Sequence, residues 1–88
     1  MKVTYDPLKN SKNIAERGLS FDLVKQFDFD SAYVHVDDRA DYGETRYIGI
    51  GYIGLRLHVV VFTGSEQGLR VISLRKANQR EVKAYEQN

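Results

Sequence analysis

Three extended stretches between Thr45 and Arg75 follow one another with room only for turns between them. "TRYIGIGY" (45–52), "LRLHVVVFT" (55–63) and "LRVISLR" (69–75) are rich in β-branched and aromatic residues, the composition of strands. A turn near Gly54 joins the first two, and "GSEQG", a five-residue loop with two glycines, joins the last two. Parallel neighbours need a crossover of a dozen or more residues, so these strands pair antiparallel. A further candidate, "AYVHV" (32–36), alternates around Val34 and Val36 and connects through the loop "DDRADYGE". The expectation is a four-stranded antiparallel meander.

Helix signals flank the meander. Asp6 and Pro7 have the residue types of an N-cap and a first helical position, and Gly18 is a C-terminal stop. Ser20 begins a second short helix, with Phe21, Val24 and Phe27 or Asp28 at three-residue steps. Asn78 and Glu81 have capping-box spacing ahead of "QREVKAYEQ". The predicted fold class is α+β: an N-terminal helical hairpin, a four-stranded antiparallel sheet and a C-terminal helix. "KVTY" leaves room for one very short strand besides.

The 88 residues suit one domain, 1–88, which buries only about 60–65% of its unfolded surface. With no cysteine, a disulfide scaffold and a thiolate metal site are excluded, which fits a reducing cytoplasm. No apolar run has membrane-spanning length, and the N-terminus lacks a hydrophobic signal region. The formal net charge is +1, yet its distribution is uneven. Asp28, Asp30, Asp37, Asp38, Asp41 and Glu44 precede a basic stretch of Arg70, Arg75, Lys76, Arg80 and Lys83.

In "YGETRYIGIG" (42–51), alternation puts Glu44, Arg46, Ile48 and Ile50 on one side of a strand. Thr45, Tyr47, Gly49 and Gly51 take the other, which is almost bare. In the last strand, Val71, Ser73 and Arg75 oppose Arg70, Ile72 and Leu74, and alternation alone leaves open which set faces inward. Glu44, Arg46, Arg56, His58, Arg70, Arg75, Lys76, Arg80 and Tyr85 are the groups a meander could gather for chemistry. Arginine donates two parallel hydrogen bonds to phosphate, and glutamate or histidine can move a proton. RNA cleavage through the 2′-hydroxyl needs little more. Each group also has a plainer reading. Glu44 and Arg46 make a surface ion pair, His58 a structural histidine, and Arg75, Lys76 and Arg80 a solvated helix start. Gly49 and Gly51 mark either a tight crossing or a face open to a sugar–phosphate chain. Asp37, Asp38 and Asp41 read as a solvated turn, not a metal site, and no cofactor motif is present.

Four segments together resemble the BrnT toxins of bacterial type II toxin–antitoxin systems. They are "YDPLKNSKNIAERGLSF", "YGETRYIGIG", "LHVVVFT" and "RVISLRKANQREVKAYE", which span about Val3 to Glu86. The resemblance implies a small ribonuclease of RelE-like architecture that arrests translation. It implies a ribbon–helix–helix antitoxin of the BrnA kind, two toxins with two antitoxins, and operator DNA bound only through the antitoxin. The family's "GE-R" falls on Glu44 and Arg46, and the arginine ahead of its central strand on Arg56. "R-IS-R" falls on Arg70 and Arg75, and "E---Y" on Glu81 and Tyr85. Glu16-Arg17 replaces a common lysine–histidine pair, and "GETR" replaces "GEER", which puts more weight on Glu44. On this basis Glu44, Arg46, Arg56, His58, Arg75 and Tyr85 are the expected catalytic set. Arg46 and Arg75 hold the scissile phosphate, while Arg70, Lys76 and Arg80 bind RNA. A rival class is a nucleic-acid-binding module without catalysis, or an inactive partner of a DNA-binding antitoxin. Cleavage of labelled RNA separates these classes.

Overall fold

The computed structural model describes residues 2–87; Met1 and Asn88, the ends of the expected 1–88 domain, lie outside them. The chain order is β1 (Lys2–Tyr5), α1 (Pro7–Arg17), a 3₁₀ helix (Phe21–Gln26), then β2 (Tyr33–Val36) and β3 (Tyr47–Ile53). It continues with β4 (Arg56–Ser65), β5 (Gly68–Lys76) and α2 (Gln79–Glu86). The strands form one sheet in the order β1-β5-β4-β3-β2. No helix among the described residues is long and apolar enough to cross a membrane.

The expected four-stranded antiparallel sheet is corrected to a five-stranded mixed one. β2 to β5 are the antiparallel meander, but β1 pairs with β5 in parallel, Lys2 opposite Gly68 and Tyr5 opposite Val71. The short strand for which "KVTY" left room is present, and its parallel pairing is what was not expected. Gly68 is what admits it: a Cβ there would overlap the Lys2 carbonyl. Read from sequence, that glycine belongs to a five-residue loop. In the structure β4 runs to Ser65 and β5 starts at Gly68, so only Glu66 and Gln67 turn the chain.

The expected helical hairpin is corrected as well. α1 forms as its signals direct, with the Asp6 side chain accepting from the Leu8 N–H and Gly18 closing the helix at φ 69°. The next segment is a six-residue 3₁₀ helix capped by Ser20. Its buried residues, Phe21 and Val24, recur every third position, which is the 3₁₀ period. α1 is instead tied to the sheet through Asn13. Its buried amide donates to the Leu19 carbonyl at 2.9 Å and to the Leu74 carbonyl at 3.0 Å.

The sheet separates two apolar clusters. Leu19, Phe21, Val24 and Phe27 pack on Val60, Leu69, Val71 and Leu74 on one face. The smaller cluster joins Ile50, Leu57, Val59 and Ala77, with Ile48, Val82 and Tyr85 packed against it. The bare face of β3 belongs to the first cluster, so it does not lie open to RNA. A Cβ on Gly51 would stand 2.7 Å from Phe27 Cζ and 2.9 Å from Ala32 Cβ, whereas one on Gly49 meets nothing closer than 3.4 Å. The tight-crossing reading of these glycines holds. Gly51→Ala overpacks this contact and should cost about 1–3 kcal/mol. Gly49→Ala should cost less, and paired thermal melts check the difference.

Val71 and Leu74 share a core face although their numbers differ in parity. A bulge explains it: Val61 stands opposite Ser73 and Phe62 opposite Val71, so Ile72 is the extra residue. Beyond the bulge every side chain changes face. Arg70, opposite Thr63, therefore joins Ser73 and Arg75 on the α2 side of the sheet.

Candidate active site

α2 is eight residues long and packs over Ile50, Leu57 and Val59. The sheet continues beyond it, and Ile48, Val61, Thr63, Arg70 and Ser73 occupy that part of the same face, with Arg46 just ahead of β3. Glu44 is the centre of this open half. Its carboxylate accepts from Arg46 Nε at 3.1 Å and from Arg70 Nη2 at 2.8 and 3.0 Å. The Arg46 guanidinium lies 4.2 Å from the centroid of the Tyr42 ring. Arg46, and then Arg70, hold the Glu44 carboxyl below its ordinary range, so it is ionised at neutral pH.

Arg75 lies farther along β5 and makes a bidentate pair with Glu81, 2.7 Å at each bond. Glu81 also accepts from the Asn78 N–H at 2.9 Å as the acid of the capping box. Arg75 holds the Glu81 carboxyl low, and Glu81 raises Arg75 in return. Folding of α2 and placement of Arg75 are thus one interaction.

The other wall is the loop between β2 and β3. Asp37 is buried and accepts from Arg39 Nε and Nη2, both at 2.8 Å, from the Arg39 N–H at 3.2 Å and from the Tyr42 hydroxyl at 3.2 Å. Arg39 holds its carboxyl far below the usual carboxylate range. Asp37 is not the residue of a solvated turn that the sequence suggests. Among the described residues, no three His, Cys, Asp or Glu side chains gather where a metal ion could be held.

Of the expected catalytic residues, the structure brings Glu44 and Arg46 together and adds Arg70, expected only to bind RNA. Arg75 is on the same face, on Glu81. The Tyr85 hydroxyl donates to the Ser31 carbonyl at 2.7 Å, and its ring meets Tyr52 edge-on, so it pins α2 beside β2. His58 is not brought in. It is buried opposite Gly51, on the other side of the sheet, and its Nδ1 donates to the Arg56 carbonyl at 2.8 Å. Arg56 is at the β3–β4 turn, seven residues from Thr63, or roughly 23 Å along the strand. It lines an open depression of about 620 Å³ with Ala77, Val82 and Lys83. Lys76 stands opposite His58, and Arg80 lies beside Gln79, Lys83 and Gln87 on α2. Sequence reasoning missed the roles of Asp37, Arg39 and Tyr42. Their signal was an Asp two residues before an Arg and five before a Tyr, ahead of "GETR".

A shallow face of arginines around one ionised glutamate, on a small five-stranded sheet, has the chemistry of a protein that handles a polyanion. A family model described as the ribonuclease toxin, BrnT, of type II toxin-antitoxin system matches residues 5–81, and the chain belongs to that family of ribonuclease toxins. As a type II toxin it has an antitoxin partner and an RNA substrate. A particular relative is the Brucella abortus ribonuclease toxin BrnT, whose crystal structure is similar to this chain at TM-score 0.69 and 36% sequence identity, covering 90% of this chain and 99% of that one. No curated protein matches the chain. Tyr85 lies beyond the matched residues.

Proposed function

We propose that this toxin cleaves RNA without a metal ion, at the open half of the sheet face, by attack of a 2′-hydroxyl on the neighbouring phosphorus. The observation that carries the reading is Glu44 held between Arg46 and Arg70. An RNA phosphate is the anion best matched to both arginines. When it takes them, Glu44 loses the partners that hold its pKa down and becomes a better base. Glu44 then accepts the 2′-hydroxyl proton while Arg46 and Arg70 stabilise the phosphorane charge. As the O2′–P bond forms the P–O5′ bond breaks, and the leaving 5′-oxygen takes a proton from solvent water, giving a 2′,3′-cyclic phosphate and a 5′-hydroxyl. Arg75, anchored by Glu81, binds a neighbouring part of the strand.

The chain acts in the cytoplasm, where its substrate is, and cleavage arrests translation and growth. Its antitoxin is a BrnA-like ribbon–helix–helix protein that binds the arginine face in a complex of two toxins and two antitoxins and carries the operator-DNA contacts. Charge supports the first part, because an exposed cationic site is an electrostatic target for a segment that would cover it.

The test uses purified protein in EDTA on two labelled RNAs, one with a single 2′-deoxy sugar at the position cut in the other. The parent RNA should be cleaved with a cyclic phosphate end, and the substituted one should be spared at that position. Loss of cleavage in EDTA, or cutting at the deoxy sugar, contradicts the mechanism.

A further inference from the structure

We propose that Arg39 is a phosphate-binding residue of this site, set in place by Asp37, and that it grips the RNA backbone beside the scissile phosphate. The inference rests on the reading that RNA is cleaved at Glu44, Arg46 and Arg70. The Asp37 side chain is 1% exposed, while that of Arg39 is 66% exposed. A long surface arginine normally surrenders much rotamer freedom when it binds a ligand. Here the order is already present. Nε and Nη2 are bonded to the carboxylate, and the backbone N–H of the same residue is bonded to it as well. A buried carboxylate is stable only when its oxygens are satisfied, so Asp37 holds the guanidinium firmly. The opposite edge of the guanidinium is left for a partner outside the chain.

The same carboxylate ties Arg39 to the catalytic face. The Tyr42 hydroxyl bonds Asp37, and the Tyr42 ring carries the Arg46 guanidinium. The Asp37 N–H also donates to the Arg46 carbonyl at 2.7 Å. Arg75, held by Glu81, stands on the α2 side of the sheet opposite Val59. The Arg39 and Arg75 guanidinium groups are each fixed by a carboxylate of their own chain, which leaves their remaining N–H donors for an outside anion. Arg46 and Arg70 at one end, Arg39 in the loop and Arg75 beside α2 thus give successive phosphates of one strand their partners. Asp37 is a positioning residue in this arrangement, and Arg39 touches the substrate.

The experiment measures binding of a fluorescein-labelled 12-nucleotide RNA, 2′-O-methylated throughout so that it resists cleavage, at several salt concentrations. Cleavage kinetics on the unmodified RNA run alongside, with a melting curve for each variant. Arg39→Ala should bind about tenfold more weakly and flatten the slope of log affinity against log salt by ~0.7. KM should rise by the same factor with kcat little changed, because a flanking phosphate contributes binding that is equal in ground and transition states. Arg39→Lys keeps the charge and should restore the salt slope but not the full affinity. Asp37→Asn should weaken binding as Arg39→Ala does, and the double variant should be no weaker than either, the signature of residues acting as a unit. If Arg46→Ala and Arg70→Ala lose activity while folded Arg39→Ala binds with parental affinity and slope, the inference is overturned and the cleavage site stands. A loss in kcat at unchanged KM also overturns it, since Arg39 would then serve the scissile phosphate. If all three variants bind and cleave as the parent does, the inference falls together with the proposed site.

Discussion

Arg70→Ala should lower the rate of RNA cleavage by on the order of 10²–10³-fold at saturating RNA, with the protein still folded. In the proposed mechanism the loss is large because Arg70 would donate to the place where charge develops, not only to the bound strand. It depends on a detail of β5. Without the bulge at Ile72, Arg70 would point to the opposite side of the sheet and could not reach Glu44, 26 positions away in the chain. Its side chain is 38% exposed and its ion partner is on the surface, so removing it leaves both apolar clusters untouched. Arg46→Ala should behave alike, with an added effect on the Tyr42 ring that carries it. Single-turnover cleavage of a labelled RNA, with a melting curve for each variant, checks both. A folded Arg70→Ala protein that cleaves at the parental rate places the site elsewhere.

Glu44→Gln should separate binding from chemistry. In the free protein the carboxylate competes with RNA for two arginines. The amide has nearly the same shape and no charge, so RNA should bind more tightly. The same substitution removes the proton acceptor of the proposed mechanism, and general-base catalysis typically contributes on the order of 10²–10⁴ in rate. KM should fall while kcat collapses, a pattern that neither unfolding nor loss of a phosphate contact produces. Acidity gives a related expectation. The folded pKa of Glu44 lies below its unfolded value, with Arg46 the larger cause. The free protein therefore keeps its base ionised through the ordinary carboxylate range, and kcat/KM should fall only at lower pH. Asp37 and Glu81 are depressed in the same way. Folding stability is accordingly complete above the unfolded carboxylate pKa and declines as pH falls through the lower folded values.

The parts of the fold that local chemistry dictates were legible. Asp6, Pro7, Gly18, Ser20, Asn78 and Glu81 act at helix ends as their residue types require, and the short connections order β2 to β5. Much of the "DPLKNSKNIAERGLSF" segment proves to be a folding device: a cap, a buried Asn13 tie, a left-handed glycine and a core Phe21. What escaped depends on contacts distant in sequence. β1 itself was allowed for at "KVTY", but its parallel place beside β5 was not legible, because it depends on Gly68, more than sixty positions on, leaving room for its backbone. The segment after Ser20 was expected as the second helix of a hairpin, because its three-residue spacing suits an amphipathic α-helix as well as the 3₁₀ helix that forms. At the site, the closeness of Glu44 and Arg46 was legible from their spacing, although both lie ahead of β3, which begins at Tyr47, and not on the strand. Arg70 was not, because alternation carried past an unseen bulge assigns it to the wrong face. His58 attracted attention as a histidine on a strand, but the pairing that buries it opposite Gly51 was not visible from its neighbours. Asp37 looked like one acid among several until the loop folded Arg39 and Tyr42 onto it.

The central claim is that the glutamate between two arginines is the base of the reaction. Its most direct measurement is single-turnover cleavage of one labelled RNA by the parent and Glu44→Gln proteins, both shown folded by melting, with affinity measured on an uncleavable analogue. The account predicts a rate at saturating RNA lower by at least about 10²-fold together with tighter binding. Cleavage at the parental rate by folded Glu44→Gln, or a slower rate accompanied by weaker binding, would contradict it.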